Sequence, residues 1–152
     1  STLMRSSAAS DVYKRQDTHL AIMTALKKGA TDIYILGATG TRMDHTITNI
    51  GNMKVVADCG KDCHIVDEHN YIYLLSEADG IHIIRKDSQY GRYVSIIPMS
   101  ENVSLSLEGF KYTLDNYELK QGLSICQSNE VEDEQGIIKV HKGLIIVLET
   151  KD

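Results

Sequence analysis

Apolar and polar residues follow two rhythms along this chain, and the change falls near Asn70. Before it, apolar positions recur at helical spacing or in short unbroken runs. Over Asp17–Lys28, the residues Leu20, Met23 and Leu26, with Ala21 and Ala25, form one apolar stripe. Asp17 or Thr18 suits the N-cap, Lys27 and Lys28 suit the C-terminal end of the dipole, and Gly29 stops the helix. Ile33–Leu36 is a continuous apolar run, the kind buried on both faces of a parallel sheet. A Gly37–Thr41 loop leads into a second helix over Asp44–Ala57, with Ile47, Ile50, Met53 and Ala57 inward and Gly60 at its end. His64–Val66 reads as another strand. Helix, strand, helix, strand over residues 17–66 is the logic of a doubly wound α/β fold.

After Asn70 the period shortens to two. β-rich runs recur at Tyr71–Leu75, Ile81–Arg85, Tyr93–Ile97, Val103–Leu107, Ile137–Val140 and Leu144–Leu148. Turn signals separate them, among them Ala78-Asp79-Gly80, Glu108-Gly109 and Lys142-Gly143. The expected architecture is a partial doubly wound parallel-sheet domain over residues 17–70, followed by an antiparallel β-sandwich over residues 71–152. Residues 1–16 (STLMRSSAASDVYKRQ) show no sustained period. The piece SSAASDVYKRQ resembles translated sequencing-adapter sequence, so this segment is expected to be non-native or disordered, with little packed structure before Asp17.

Composition narrows the function classes. The 152 residues are 42% hydrophobic and 24% charged, as in a folded chain. The net charge of −5 argues against general nucleic-acid binding, so an anionic ligand needs a local site. No apolar run is long enough to cross a bilayer as a helix. Three cysteines, Cys59, Cys63 and Cys126, form no disulfide framework, which points to a reducing, cytoplasmic compartment. Cys59, Cys63 and His64 lack a second ligand pair, and free thiols are the preferred reading over zinc.

Candidate chemistry concentrates in GATGTRMDHTITN, residues 37–49. Glycines let a backbone approach a phosphate closely. A helix N-terminus favours an anion. Arg42 can bind phosphate oxygens bidentately, Asp44 can take a magnesium ion or its water, and His45 can hydrogen-bond or carry a proton. The plainer reading is a structural βα turn with Asp44 as N-cap, and the residues alone leave both open. The loop lacks the terminal Gly-Lys-Ser/Thr of a P-loop and the Rossmann fingerprint.

Several segments taken together resemble the thiamine pyrophosphokinases (thiamine diphosphokinases). GATGTRMDHTITNI is similar to that family's Gly-x-x-Gly-x-Arg-x-Asp-His-x-x-x-Asn segment. Asp17-Thr18-His19-Leu20-Ala21 resembles the end of its Asp-x-Thr-Asp-Thr-Glu-Leu-Ala motif. Gly109–Leu114 is similar to its Gly-Leu-Lys-Tyr-Pro-Leu segment, and Gly122-Leu123-Ser124 with Ser128-Asn129-Glu130 to its Gly-x-Ser … Ser-Asn-Glu segment. The resemblance implies an ATP-binding α/β domain, a thiamine-binding β-sandwich and a homodimer. It implies transfer of pyrophosphate from ATP to the thiamine hydroxyl, giving thiamine diphosphate and AMP, with Mg2+. By the match, Asp17 and Asp44 fall near the metal and the reacting groups, and Arg42 on a catalytic phosphate contact. His45 and Asn49 belong to the same substrate-binding motif, and Ser128 and Asn129 fall on the segment that approaches thiamine. Tyr112 is a candidate for the pocket lining or for the sandwich core.

Two departures qualify the match. The family's opening αβ units, with their aspartate-glycine segment, have no counterpart here, and Lys14-Arg15-Gln16 replaces the Asp-x-Thr expected before Asp17. The expectation is an N-terminally truncated member with a weakened magnesium site. A non-catalytic nucleotide- or thiamine-binding module and a β-sandwich dimerisation protein are the alternatives from other classes.

Overall fold

The computed structural model describes residues 2–5 and 11–152, with side chains from Thr18 onward. The chain divides into two compact units, Ser1–Glu68 and His69–Asp152.

The first unit runs β1 (Thr2–Arg5), α1 (Asp11–Lys27), β2 (Asp32–Leu36), α2 (Met43–Asp58) and β3 (Asp62–Val66). β1 and β3 flank β2, both parallel to it. Alternation along the strands buries Ile33, Ile35, Cys63 and Ile65, and the helices bury Ile22, Ala25, Met53 and Val56. On the opposite strand face, Tyr34 and His64 sit side by side in register, their rings stacked at 4.4 Å. Burial pushes the Cys63 thiol up to about 12, so it packs as an apolar group.

Three sequence expectations change here. Residues 1–16 are not wholly without structure: β1 is a strand, and α1 begins at Asp11 rather than Asp17. Residues 1 and 6–10 lie outside the described residues. Four residues are too few to display a period, and β1 takes its conformation from pairing with β2. The Asp11–Gln16 turns have no apolar stripe, yet Lys, Arg and Gln extend a helix readily once the packed part has nucleated it. The α1 face is centred on Ile22 and Ala25, whereas Leu20 is 64% exposed. In α2, Ile47 is 62% exposed and Val56 takes an inward place.

The second unit contains eight strands: β4 (Asn70–Ser76), β5 (Ile81–Arg85), β6 (Tyr93–Pro98), β7 (Val103–Glu108), β8 (Leu114–Leu119), β9 (Asn129–Glu130), β10 (Gln135–Lys142) and β11 (Leu144–Thr150). They form two antiparallel arrays, β4-β11-β6-β9 and β5-β10-β7-β8. Inward residues of both, including Tyr73, Val94, Ile96, Leu105, Ile138 and Val147, make one core with Phe110 from the β7–β8 connection. The architecture is the α/β unit plus antiparallel sandwich expected from the two rhythms. β8 and β9 escaped the sequence reading. β8 is a polar edge strand with Asp115, Asn116 and Glu118 exposed, and β9 has two residues. At the other edge of the same array, β5 exposes Ile81 and Ile83.

One polar network enters this core. The Tyr73 hydroxyl donates to Glu149 Oε2 at 2.8 Å and lies 2.9 Å from His82 Nε2. Since the Tyr73 proton goes to the carboxylate, His82 Nε2–H donates to Tyr73. Burial raises the Tyr73 phenol above its ordinary range and lowers His82, with nearby Asp79 partly opposing the latter. A histidine whose folded pKa is depressed stabilises the fold above its unfolded pKa and loses that contribution as pH falls through the folded value. Urea midpoints should therefore drop as pH falls from roughly 7.5 to roughly 5.5, across the ordinary histidine range. The drop should be smaller in His82→Gln, which keeps a donor to Tyr73. Equal drops in both proteins would place the acid sensitivity elsewhere.

Candidate functional site

The loop after β2 is assembled by backbone needs. Gly37 has φ +69°, a left-handed turn that a side chain would strain. Ala38 is buried, and the Asn49 side-chain amide donates to its carbonyl at 2.9 Å. Thr39 donates through its hydroxyl to Asp67 in a short hydrogen bond. The loop thus ends against both α2 and the residue just past β3, at the carboxyl end of the parallel strands, where open α/β sheets place ligands. Asp67 was missed at the sequence level; an aspartate directly after Val66 was the available signal.

The α2 N-terminus carries the charged chemistry. Arg42 occupies the N-cap position in extended conformation, with no side-chain cap bond. Asp44 is therefore not the N-cap that the plainer reading assigned. Its carboxylate receives Arg42 through two bonds, Nη2–Oδ2 at 2.6 Å and Nε–Oδ1 at 3.2 Å, and takes the His45 backbone N–H at 2.9 Å. The Arg42 bond holds the Asp44 carboxyl below its ordinary value, opposed by desolvation and aided by the His45 N–H. Both side chains are about half exposed, at 52% and 48%. His45 Nε2 is buried and has no hydrogen-bond partner among the described residues. Asp17 lies in α1, with its side chain outside the described residues.

In the second unit, Asn129 and Ser128 lie at β9. Asn129 is 3% exposed. Its Oδ1 accepts the Tyr112 N–H at 3.0 Å and the Glu130 N–H at 2.9 Å, while its Nδ2 donates to the Tyr112 carbonyl at 2.8 Å. The amide imitates a strand partner and holds Tyr112 in place. The Tyr112 ring itself is 58% exposed, with Lys111 Nζ 5.8 Å above it. Tyr112 is thus a presented ring and not a core residue. Ser128, at φ +54°, donates its backbone N–H to Ser95 Oγ at 2.9 Å.

Metal binding can be tested against the donors present. Among the described residues no group of three His, Cys, Asp or Glu side chains converges. Magnesium keeps several waters and is commonly held by one or two carboxylates plus substrate phosphates. The ionised, half-exposed Asp44 carboxylate is a hard oxygen donor of that kind, so the residues fit magnesium better than a closed structural site.

Residues 9–66 match the family model described as thiamin pyrophosphokinase, catalytic domain, and residues 81–145 match that of its vitamin B1 binding domain. The chain belongs to the thiamin pyrophosphokinase family. The catalytic-domain match begins inside the segment set apart as non-native and includes Asp17, Arg42, Asp44, His45 and Asn49; the second includes Tyr112, Ser128 and Asn129. A thiamine pyrophosphokinase of Bacillus subtilis is 35% identical over 137 residues, covering 90% of this chain and 63% of that protein. Its crystal structure superposes with a TM-score of 0.82. The thiamin pyrophosphokinase structure from Geobacillus thermodenitrificans gives 0.79 at 31% identity, covering 95% of this chain and 64% of that one. A thiamin pyrophosphokinase of Caenorhabditis elegans is 25% identical over 122 residues, 80% of this chain and 50% of that protein. The chain spans half to somewhat under two thirds of these relatives' lengths.

Asn129→Ala leaves the Tyr112 N–H and C=O without partners and should cost about 2–3 kcal/mol of unfolding free energy, read by chemical denaturation. Asn129→Asp keeps the acceptor and loses the donor, so its stability should fall between the two. A near-neutral Asn129→Ala would show that Tyr112 is not held by the amide.

Proposed function

We propose that the chain carries out thiamine diphosphokinase chemistry, moving a pyrophosphoryl group from ATP to the hydroxyl of thiamine and releasing AMP. The observation that carries this reading is the bidentate Arg42–Asp44 pair at the α2 N-terminus, beside a glycine loop and within the match to the family's catalytic-domain model. Family membership and the likeness to Bacillus thiamine pyrophosphokinase support it.

The reaction balances simply. The thiamine hydroxyl oxygen bonds to the β-phosphorus of ATP, the bond from that phosphorus to the α–β bridging oxygen breaks, and AMP leaves with that oxygen. The hydroxyl proton passes to a carboxylate, Asp17 or Asp44. Such transfer depends chiefly on positioning and charge neutralisation. Arg42 suits the phosphoryl oxygens because its planar fork already makes two parallel bonds to an oxyanion, here Asp44. Asn49 acts through the loop, fixing the Ala38 carbonyl, and His45 brings an unsatisfied ring nitrogen to the same turn. A magnesium ion held by Asp17 and Asp44 would offset phosphate charge. For thiamine, the exposed Tyr112 ring offers a flat surface to a planar cationic heterocycle, with Ser128 and Asn129 beside it. A homodimer in a cytoplasmic, reducing setting completes the proposal, in keeping with Cys59, Cys63 and Cys126 as free thiols.

The test is AMP release from ATP, thiamine and magnesium, run beside the Bacillus enzyme. Expected is AMP in equal amount to thiamine diphosphate, with Arg42→Gln slower by about 100-fold, the scale of losing one transition-state charge contact. Thiamine or nucleotide binding without AMP would support the binding-module alternative. A folded dimer that binds neither would leave the dimerisation reading.

A further inference from the structure

Among the described residues, two polar side chains are buried in the chain, Asn129 and Glu149, and they lie in one cross-strand row. Glu149 on β11 pairs with Val94 on β6, and Val94 pairs with Asn129 on β9. Residues in one row point to one face of a sheet, and two strand spacings put these about 10 Å apart. Both reach beyond their strands to hold a loop. Asn129 holds Tyr112 between β7 and β8. Glu149 Oε1 accepts the Tyr90 N–H, at 3.3 Å, between β5 and β6. Each tyrosine also carries a lysine over its ring: Lys111 on Tyr112 and Lys151, at 4.5 Å, on Tyr90.

The Tyr90 segment is tied down further. A Cβ on Gly91 would lie 2.2 Å from the Thr150 carbonyl oxygen, so only glycine lets the loop come this close to β11. Arg92 follows and bonds to Glu130 Oε2 at 3.2 Å, the residue next to Asn129. The far oxygen of Glu149 is occupied by Tyr73, itself held by His82. A buried carboxylate held by two neutral donors, the Tyr73 hydroxyl and the Tyr90 N–H, is costly to keep. Apolar packing would fill the space more cheaply, so a carboxylate here calls for a reason.

We propose that Glu149 is a positioning residue for the thiamine-binding edge: it fixes the Tyr90–Arg92 segment, and through Arg92–Glu130 and the Val94 row it sets β9, from which Asn129 presents Tyr112. This rests on the thiamine reading of the Tyr112 edge and extends it to a residue that touches no substrate. Glu149 acts on ligand affinity through the loop, and not on the phosphoryl chemistry of the first unit.

The test is calorimetric titration of thiamine into the whole chain and into Glu149→Gln and Tyr73→Phe, with amide exchange at Tyr90 and Tyr112 and AMP kinetics where turnover occurs. Glu149→Gln keeps one acceptor and the side-chain shape, and Tyr73→Phe removes the far bond together with the His82 contact behind it while leaving the Tyr90 bond in place, so neither depends on surviving a large cavity. Expected for Glu149→Gln is about fivefold weaker thiamine binding, the scale of one partly lost hydrogen bond. Exchange should quicken at both Tyr90 and Tyr112, and KM should rise for thiamine but not for ATP. Tyr73→Phe should move the same readouts less. Unchanged thiamine affinity in Glu149→Gln overturns the proposal even where melting temperature falls, because that is a structural role alone. Equal losses in KM for both substrates overturn it too. A wild-type chain that binds no thiamine sinks the underlying reading, whereas wild-type binding with an indifferent Glu149→Gln sinks this one only.

Discussion

A chain that leaves regular structure inside a folded unit must still find partners for its backbone N–H and C=O groups. That constraint shapes three loops of this protein. Asn49 satisfies the Ala38 carbonyl, Asn129 satisfies both polar atoms of Tyr112, and Glu149 satisfies the Tyr90 N–H. In each case a side chain from a regular element reaches into a loop and replaces the missing ladder partner. The loops thereby gain fixed partners without a continuous sheet to supply them. Rigid loops suit positioning chemistry, where misplacement of a reacting group is expensive.

The charged pair at the α2 N-terminus obeys a different balance. Arg42 and Asp44 are half exposed, so their mutual attraction is screened and adds little to stability. What the pair supplies is order. A bidentate contact fixes two flexible side chains in one plane, beside backbone N–H groups that already favour negative charge. The Asp44 carboxylate stays ionised under this field. Such a half-exposed pair costs little to rearrange.

Much of the fold was legible because burial writes a period into sequence. Val103–Leu107 alternates and is a strand; Ile33–Leu36 is unbroken and is a strand of a parallel sheet. What stayed hidden lacked such a record. β8 is half polar because it lies at an edge, and β1 is too short to show a period. Ile47 fits the helical stripe yet faces out, because Asn49 takes an inward position to reach Ala38. The loop motif announced Arg42, Asp44 and His45. It did not announce that Asn129 spends its amide on Tyr112, since a side chain's partner across 17 positions is a tertiary fact. Asp67 and Glu149 look like ordinary acidic residues until the fold brings them to Thr39 and Tyr90.

The two free margins of the β5-β10-β7-β8 array are not equally guarded. At β8, Asp115 and Glu118 project outward and Asn116 adopts φ +41° where the pairing register shifts. Charge and irregular backbone there discourage a stranger's strand from adding on. β5 offers Ile81 and Ile83 at its surface and no such irregularity. Strand addition to this array therefore has a preferred margin. It is β5, and a lysine placed at position 83 would blunt it with little disturbance of the core behind.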